Sequence, residues 1–352
     1  VVANLIQGDP EAYVIAPRAD DSWGYKRDQV RCVAGFDRYG RLTQVHKNRL
    51  PLWIKLPLLL RVVRPALTDL RSTDVVWVHN RAELAAALSP WVRQHGAKLV
   101  LHMHNSHLRL PQQAKAIRDI QLDRLVSVSQ FIQEEGASAV RLGTKLSVLY
   151  NGANESLFYP ELRPPNTDEP VVLFASRLVP DKGAHILMKA MRILDEKGVR
   201  GRAVVVGGSA FGHSKTTSYI QALHRDAPPN VQFHSYCSGA LLAGKFREAD
   251  IFCLPSIFND PFPLAPLEAM ASRLPVVASK TGGIPEAFAQ GGAILVEKEN
   301  PVQLAEGLER LLVDPSLRAK MAAAGFAAYQ DCFTWTAIRK RYCELLDEVR
   351  AT

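Results

Sequence analysis

The stretch Val171-Val-Leu-Phe-Ala-Ser-Arg177-Leu-Val-Pro-Asp-Lys182-Gly183-Ala184 sets the reading of the whole chain. It opens as a short apolar, β-branched run, turns through a loop with two cations, and continues into a helical pattern over residues 184–197. The same strand–loop–helix unit recurs on both sides of it. Downstream, strands are expected at 203–206, 231–233, 251–254, 276–278 and 293–296, with helices over 241–248 and 302–312 between them. Upstream, strands are expected at 13–15, 75–79, 98–102, 125–128 and 146–149. Alternation at this spacing calls for α/β architecture, with parallel sheets covered by helices on both faces.

The length of 352 residues suits two domains of similar size. Residues 159–170, with four prolines and few apolar side chains, read as the linker. The expected organisation is a first domain over 1–158 and a second over 171–330, leaving 331–352 as a closing helix. Two doubly wound domains so joined place a cleft between the carboxyl ends of their sheets, where ligands of such sheets bind. Chemistry is therefore expected in loops that follow strands.

The net charge of +8 lies mostly in the first half, with 13 basic against 4 acidic residues between positions 41 and 120. Such a bias favours an anionic partner for that half. No helix-turn-helix, zinc-finger or aromatic RNP-like pattern accompanies it, so nucleic acid is not the expected partner. Within it, Lys47 to Arg64 interleaves Lys47, Arg49, Lys55, Arg61 and Arg64 with an apolar run and Trp53. This segment reads equally as a basic amphipathic surface for an anionic membrane or acceptor and as a short helix packed on the sheet. The five cysteines (Cys32, Cys237, Cys253, Cys332 and Cys343) form no C-x-x-C pair. A reducing cytoplasmic setting is expected, without a disulfide framework or a zinc-cysteine site. No apolar run of about 18 residues occurs, so the chain is expected at most to lie peripherally on a membrane.

Three segments carry chemistry. Arg177 offers a planar fork and Lys182 a point charge, next to a helix N-terminus, which is the equipment a pyrophosphate needs. Gly207-Gly208 follow a strand and permit close backbone approach, although a plain tight turn explains them as well. Their spacing to Gly212 is not G-x-G-x-x-G, so a dinucleotide fingerprint is not supported. The third segment is Asp260-Pro-Phe-Pro263-Leu264-Ala-Pro-Leu-Glu268-Ala-Met, followed by Thr281-Gly282-Gly283-Ile-Pro-Glu286. Glu268 sits in an apolar stretch, where an ionised carboxylate is costly without a partner, and the two vicinal hydroxyls of a ribose would supply one. No D-x-D pair exists to hold a diphosphate-bound metal.

Taken together and in this order, Arg177…Lys182-Gly183, the acid-x7-Glu segment and Gly-Gly-x-Pro-Glu resemble the second domain of family 4 glycosyltransferases of the GT-B fold. Val78-His-Asn, Leu101-His-Met-His104-Asn105, Val128-Ser129, Tyr150-Asn-Gly152 and Phe333-Thr-Trp335 match the remainder. Within the family the chain looks most like bacterial lipopolysaccharide-core N-acetylglucosaminyltransferases and a related group of spore-coat proteins. The resemblance implies two Rossmann-like domains and a retaining, metal-independent hexosyltransferase using a UDP-sugar (UDP-GlcNAc or UDP-glucose) without a cofactor. The acceptor it implies is a glycan or glycolipid.

The resemblance also assigns residues. Arg177 and Lys182 become the diphosphate clamp, with Gly207, Gly208, the Leu264 backbone, Gly282 and Gly283 lining the donor and Glu268 on its ribose. Asp260 lies against the sugar hydroxyls, and His104 faces the sugar from the first domain. Arg49, Lys55, Arg61 and Arg64 offer an acceptor or membrane surface. The closing helix is expected to return to the first domain. Asp260 stands where the family usually has glutamate, and Pro263 where glycine is common. Val1-Val-Ala-Asn-Leu5 reads as the family's first helix, which puts the preceding strand and glycine-rich loop before the recorded start. These departures leave two rivals: a glycosyltransferase-like coat or scaffold protein without turnover, and a nucleotide-sugar epimerase.

Overall fold

The computed structural model describes residues 14–16, 30–32, 57, 60–61, 63–118, 120–161, 168–209 and 216–352. Two compact units emerge: Val1–Tyr150 with Ile338–Thr352, and Asn151–Ala337. The expected helix at residues 1–5, the cations Arg49 and Lys55, and residues 162–167 of the linker lie outside the described residues.

In the first unit, β1 (Val14–Ala16) and β2 (Val30–Cys32) pair in parallel as a two-stranded sheet. A second sheet holds β3 (Val75–His79), β4 (Lys98–Met103), β5 (Arg124–Ser127) and β6 (Lys145–Val148), parallel and in sequential order. Helices α1 (Ala82–Gln94), α2 (Pro111–Arg118) and α3 (Gln130–Ala137) connect these strands. The inner strands β4 and β5 are buried almost end to end, as parallel strands covered on both faces must be.

The second unit is a six-stranded parallel sheet: β7 (Val171–Ala175), β8 (Arg202–Val206), β9 (Val231–His234), β10 (Ile251–Leu254), β11 (Val276–Ser279) and β12 (Ala293–Val296). Their spatial order is β12-β11-β10-β7-β8-β9. The three central strands β7, β10 and β11 are wholly buried, whereas β9 and β12 at the edges are not. Helices α4 (Ala184–Glu196), α5 (Ser218–Asp226), α6 (Gly239–Glu248), α7 (Leu264–Ala271), α8 (Ile284–Ala287), α9 (Pro301–Val313) and α10 (Pro315–Cys332) complete the unit.

The unit boundary at Tyr150 lies eight residues before the end of the first domain expected from sequence. The bonding of the following segment explains the difference. Ala153 bridges to Thr334, its N–H donates to the Phe333 carbonyl (3.0 Å), and its own carbonyl accepts from the Tyr329 hydroxyl (3.2 Å). The Glu155 carboxylate accepts from the Trp335 N–H and the Thr336 hydroxyl. Residues 151–158 are thus tied into the second unit before the proline-rich stretch begins.

The last helix, α11 (Trp335–Arg350), changes unit near its start. From Ile338 onward it belongs to the first unit, where Tyr342 packs its ring 5.0 Å from that of Trp77. Arg124, buried on β5, donates to Ser147 (2.6 Å) and to Glu348 of this helix (2.7 Å). Glu348→Ala leaves that guanidinium with one neutral partner, and a loss of about 1–3 kcal/mol of first-unit stability is expected. Urea denaturation followed by tryptophan fluorescence measures it, and an unchanged midpoint would show that the pair contributes nothing.

Candidate active site

In the second unit the strand order reverses between β7 and β10. Chain segments leaving these neighbouring strands therefore run to opposite faces of the sheet, and their carboxyl ends open a crevice, the usual ligand position in such folds. The loop after β7 carries Arg177 and Lys182; the loop after β10 carries Asp260. Lys182 Nζ and the Asp260 carboxylate form an ion pair across this switch point, with both side chains largely buried. The second Asp260 oxygen lies 2.7 Å from the hydroxyl of the fully buried Ser256, positioned to donate its proton there. Asp181 adds a backbone tie, its carbonyl accepting from the N–H groups of Ile257 (2.9 Å) and Phe258 (3.2 Å). Arg177 is exposed on the same loop.

Glycines set the spacing of these loops. Gly183 has φ +73°, and a Cβ there would meet the Pro255 carbonyl oxygen at 1.8 Å. Gly282 has φ +56°, and its Cβ would fall 2.1 Å from the Asp260 carbonyl oxygen. A Cβ on Gly207 would be 2.0 Å from the Ser176 carbonyl oxygen. Loop-on-loop contact therefore requires glycine at all three places whatever else binds nearby. The Gly208 carbonyl accepts from Leu178 N–H (2.8 Å), and the Gly283 N–H donates to the Asp260 carbonyl (2.8 Å). Both groups are thereby spent on the loop framework.

Helix termini at this edge differ in what their first donors meet: the His185 N–H of α4 donates to the Tyr219 hydroxyl (3.3 Å) and the Ile284 N–H of α8 to the Thr281 carbonyl (3.2 Å). α4, α7 and α8 begin at Gly183, Pro263 and Gly283, and none has a side-chain cap. Of the others, α5, α9 and α10 are capped by Thr217, Asn300 and Asp314, while α6 starts at Ser238 without a side-chain cap. Uncapped N–H groups at helix starts attract anions. Leu264, the first residue of α7, is exposed there. Glu268 lies one turn further along α7, part-buried among Pro266, Leu267, Ala269 and Met270. Burial pushes its carboxyl up to about 7.

In the first unit His104 follows β4, its backbone N–H donating to Asn80 Oδ1 (2.7 Å). Its Nε2 is 2.9 Å from His79 Nδ1, and its ring centroid is 4.1 Å from that of buried His102. Burial lowers its imidazole to about 4 and, with His104 alongside, that of His79 to about 3, so both are neutral at physiological pH. Among the acceptor-surface cations, Arg61 and Arg64 are exposed, and Arg64 holds its guanidinium 5.6 Å from the Trp91 ring centre. Sequence reasoning missed Ser256, a common residue without a motif, and the association of His79 and His102 with His104.

Comparison with known proteins fits this architecture. Residues 2–157 match the description Glycosyltransferase Family 4, and residues 159–327 match Glycosyl transferases group 1. The chain belongs to the family 4 glycosyltransferases. Spore coat protein SA of Bacillus subtilis is 25% identical over 79% of this chain and 79% of its own length. A GDP-mannose-dependent monoacylated alpha-(1-6)-phosphatidylinositol monomannoside mannosyltransferase of Corynebacterium glutamicum is 28% identical, covering 78% and 77%. In fold, the glycosyltransferase resembles the crystal structure of Anabaena HepE in complex with UDP, with a TM-score of 0.77 at 20% identity, covering 99% and 95% of the two chains. That likeness establishes the GT-B fold with its two Rossmann-like domains.

The raised Glu268 carboxyl has a consequence for the unliganded glycosyltransferase. A folded-state value above the unfolded one contributes stability at low pH that is lost as pH rises through it. Stability should therefore fall between about pH 4.5 and 7, by on the order of 2–3 kcal/mol from this group. Glu268→Gln should flatten that part of the profile, as read by chemical denaturation at a series of pH values. A variant with the wild-type slope would mean that Glu268 is not held in its neutral form.

Proposed function

We propose that this glycosyltransferase moves a hexosyl group, GlcNAc or glucose, from its UDP-sugar to a glycan or glycolipid acceptor with retention and without a metal ion. The observation that carries the reading is the Lys182–Asp260 pair at the switch point, with Asp260 on the loop that runs into the uncapped start of α7. A diphosphate placed there meets Lys182, Arg177 and the first N–H groups of α7 together. When the acceptor oxygen attacks the anomeric carbon and the bond to the diphosphate breaks, negative charge grows on the leaving phosphate. Preorganised donors aimed at that charge contribute roughly 3–4 kcal/mol each to the rate.

Asp260 adds a switching element to this reading. Without donor it neutralises Lys182; with donor, Lys182 turns to the phosphate and the Asp260 carboxylate is released to accept from a sugar hydroxyl. Glu268 accepts from the ribose, whose two hydroxyls offset the cost of its ionisation. The choice of UDP rests on the resemblance described from sequence. HepE was crystallised with UDP-glucose, whereas the Corynebacterium relative is GDP-mannose-dependent, so both nucleotides belong in the test. The basic segment ending at Arg61 and Arg64 supports an anionic acceptor such as a phosphorylated lipopolysaccharide core, presented at a membrane surface. Among the described residues, no helix is long and apolar enough to cross a membrane.

Calorimetry with UDP, UDP-GlcNAc, UDP-glucose and GDP-mannose in EDTA should give binding of the uridine nucleotides. Glu268→Ala and Lys182→Ala should each weaken UDP by about 10–100-fold, the worth of a charged hydrogen bond. Transfer to a glycan acceptor should persist in EDTA. Activity that vanishes in EDTA and returns with Mn²⁺ refutes the metal-independent reading, and a preference for GDP-mannose refutes the donor. Hydrolysis or transfer by the wild type separates an enzyme from a scaffold.

A further inference from the structure

Strand register brings three imidazoles together at the carboxyl edge of the first unit's sheet. His79, the last residue of β3, is paired directly with His102 of β4. His104 stands two residues beyond His102, so the period of two along a strand returns it to the same face. The ring centroids lie 5.1 Å (His79–His102), 5.2 Å (His79–His104) and 4.1 Å (His102–His104) apart. One nitrogen from each ring falls within 4.8 Å of the other two. A loop does not produce this arrangement by chance of packing; two hydrogen-bonded strands hold it.

The bonding within the trio is incomplete. His79 Nδ1 and His104 Nε2 share one hydrogen bond of 2.9 Å. His102 is 1% exposed, and neither of its ring nitrogens has a hydrogen-bond partner. A buried imidazole with both nitrogens unpartnered forgoes the bonds that nearly all buried polar groups make. Core packing does not account for a histidine here, since an aliphatic residue would fill the space without that loss. A ligand for its lone pair does.

We propose that His79, His102 and His104 form a three-imidazole site for a transition-metal ion, zinc being the one that fits. Three nitrogen donors without a carboxylate suit zinc, copper or nickel and discriminate against magnesium and calcium, which require oxygen. Zinc imposes no ligand-field geometry and is stable with three protein ligands and an open fourth position. Zn–N bonds of about 2.0–2.1 Å in a tetrahedron place the nitrogens about 3.3 Å apart. His79 and His104 are already close to that spacing, and small ring rotations bring His102 in. The ion takes the place of the proton shared between His79 and His104. That proton moves to the other nitrogen of the same ring, so every ligand remains neutral. Bound zinc ties the end of β3 to the segment after β4 and commits the His104 lone pair, leaving its other nitrogen as a fixed donor. This ion is separate from the donor diphosphate, which Lys182 and Arg177 serve.

The test uses the tag-free full chain freed of metal with a chelator and then dialysed. Titration of zinc against a chromophoric chelator should give one tight site per chain. His79→Gln and His104→Gln, at part-buried positions, should each weaken it at least about 10-fold. The exposed His107→Gln should leave it unchanged. Cobalt(II) should give the wild type the intense visible absorption of a tetrahedral nitrogen site, and equimolar magnesium should not compete. Absence of that absorption from the wild type, or zinc affinity untouched by both His79→Gln and His104→Gln, overturns the proposal. No nucleotide sugar enters these measurements, so their outcome is independent of the donor reading.

Discussion

The ion pair between Lys182 and Asp260 is the contact on which the architecture of the second unit's active edge turns. Topology alone separates the loops after β7 and β10, because each crossover leaves toward a different face of the sheet. Something must then hold the two loops at a defined spacing. The pair does so electrostatically, with both charges largely withdrawn from water, and Ser256 takes the remaining carboxylate oxygen. The backbone contact of Gly183 on Pro255 fixes the same spacing sterically, and Gly207 on Ser176 and Gly282 on Asp260 set the loops after β8 and β11 against them, each where a Cβ would strike a carbonyl. Charge and shape therefore specify one geometry, and each would be undermined by loss of the other.

That geometry concentrates unmet bonding capacity at one edge. α7 begins there without a side-chain cap, an ammonium is balanced by a single carboxylate, and Glu268 is raised to about 7 by its apolar neighbours. Elsewhere in the unit, Thr217, Asn300 and Asp314 cap their helices, and Ser238 does not cap α6. A paired but buried ammonium and a carboxyl held in its neutral range stand together at the loops where the topology leaves a crevice. Such departures are expected at functional sites, where stability is given up for a prearranged environment.

Much of this was legible from the residues. The β-branched runs placed eleven strands to within one residue, since buried parallel strands leave a continuous apolar signature, but not the three-residue β2 (Val30–Cys32). Lys182 and Asp260 were each singled out, but as partners of a donor. Their mutual pairing joins positions 78 apart and depends on which strands become neighbours, which no local pattern encodes. Ser256 was invisible for the same reason. The glycines were found for a partial reason: close approach was anticipated, yet the backbone that approaches is the protein's own. His104 was read from a motif, while His79 and His102 join it only through the register of β3 on β4.

On the proposed reading, the handling of phosphate would distinguish this site from dinucleotide-binding sheets of the same topology. There, a glycine-rich turn lets the pyrophosphate lie against backbone amides. Here the corresponding turn after β7 is occupied: Gly207 is pressed on Ser176, and Leu178 donates its N–H to the Gly208 carbonyl. Its amides are committed to joining β7 and β8. On that reading, anion affinity comes from side-chain cations and from the start of α7 after β10. A cation that is paired with a carboxylate until an anion arrives suits a diphosphate that must leave, because it can return to Asp260 once the product departs. A glycine cradle has no such alternative partner. The chain's equipment is thus better matched to a diphosphate as leaving group than to one retained as part of a cofactor.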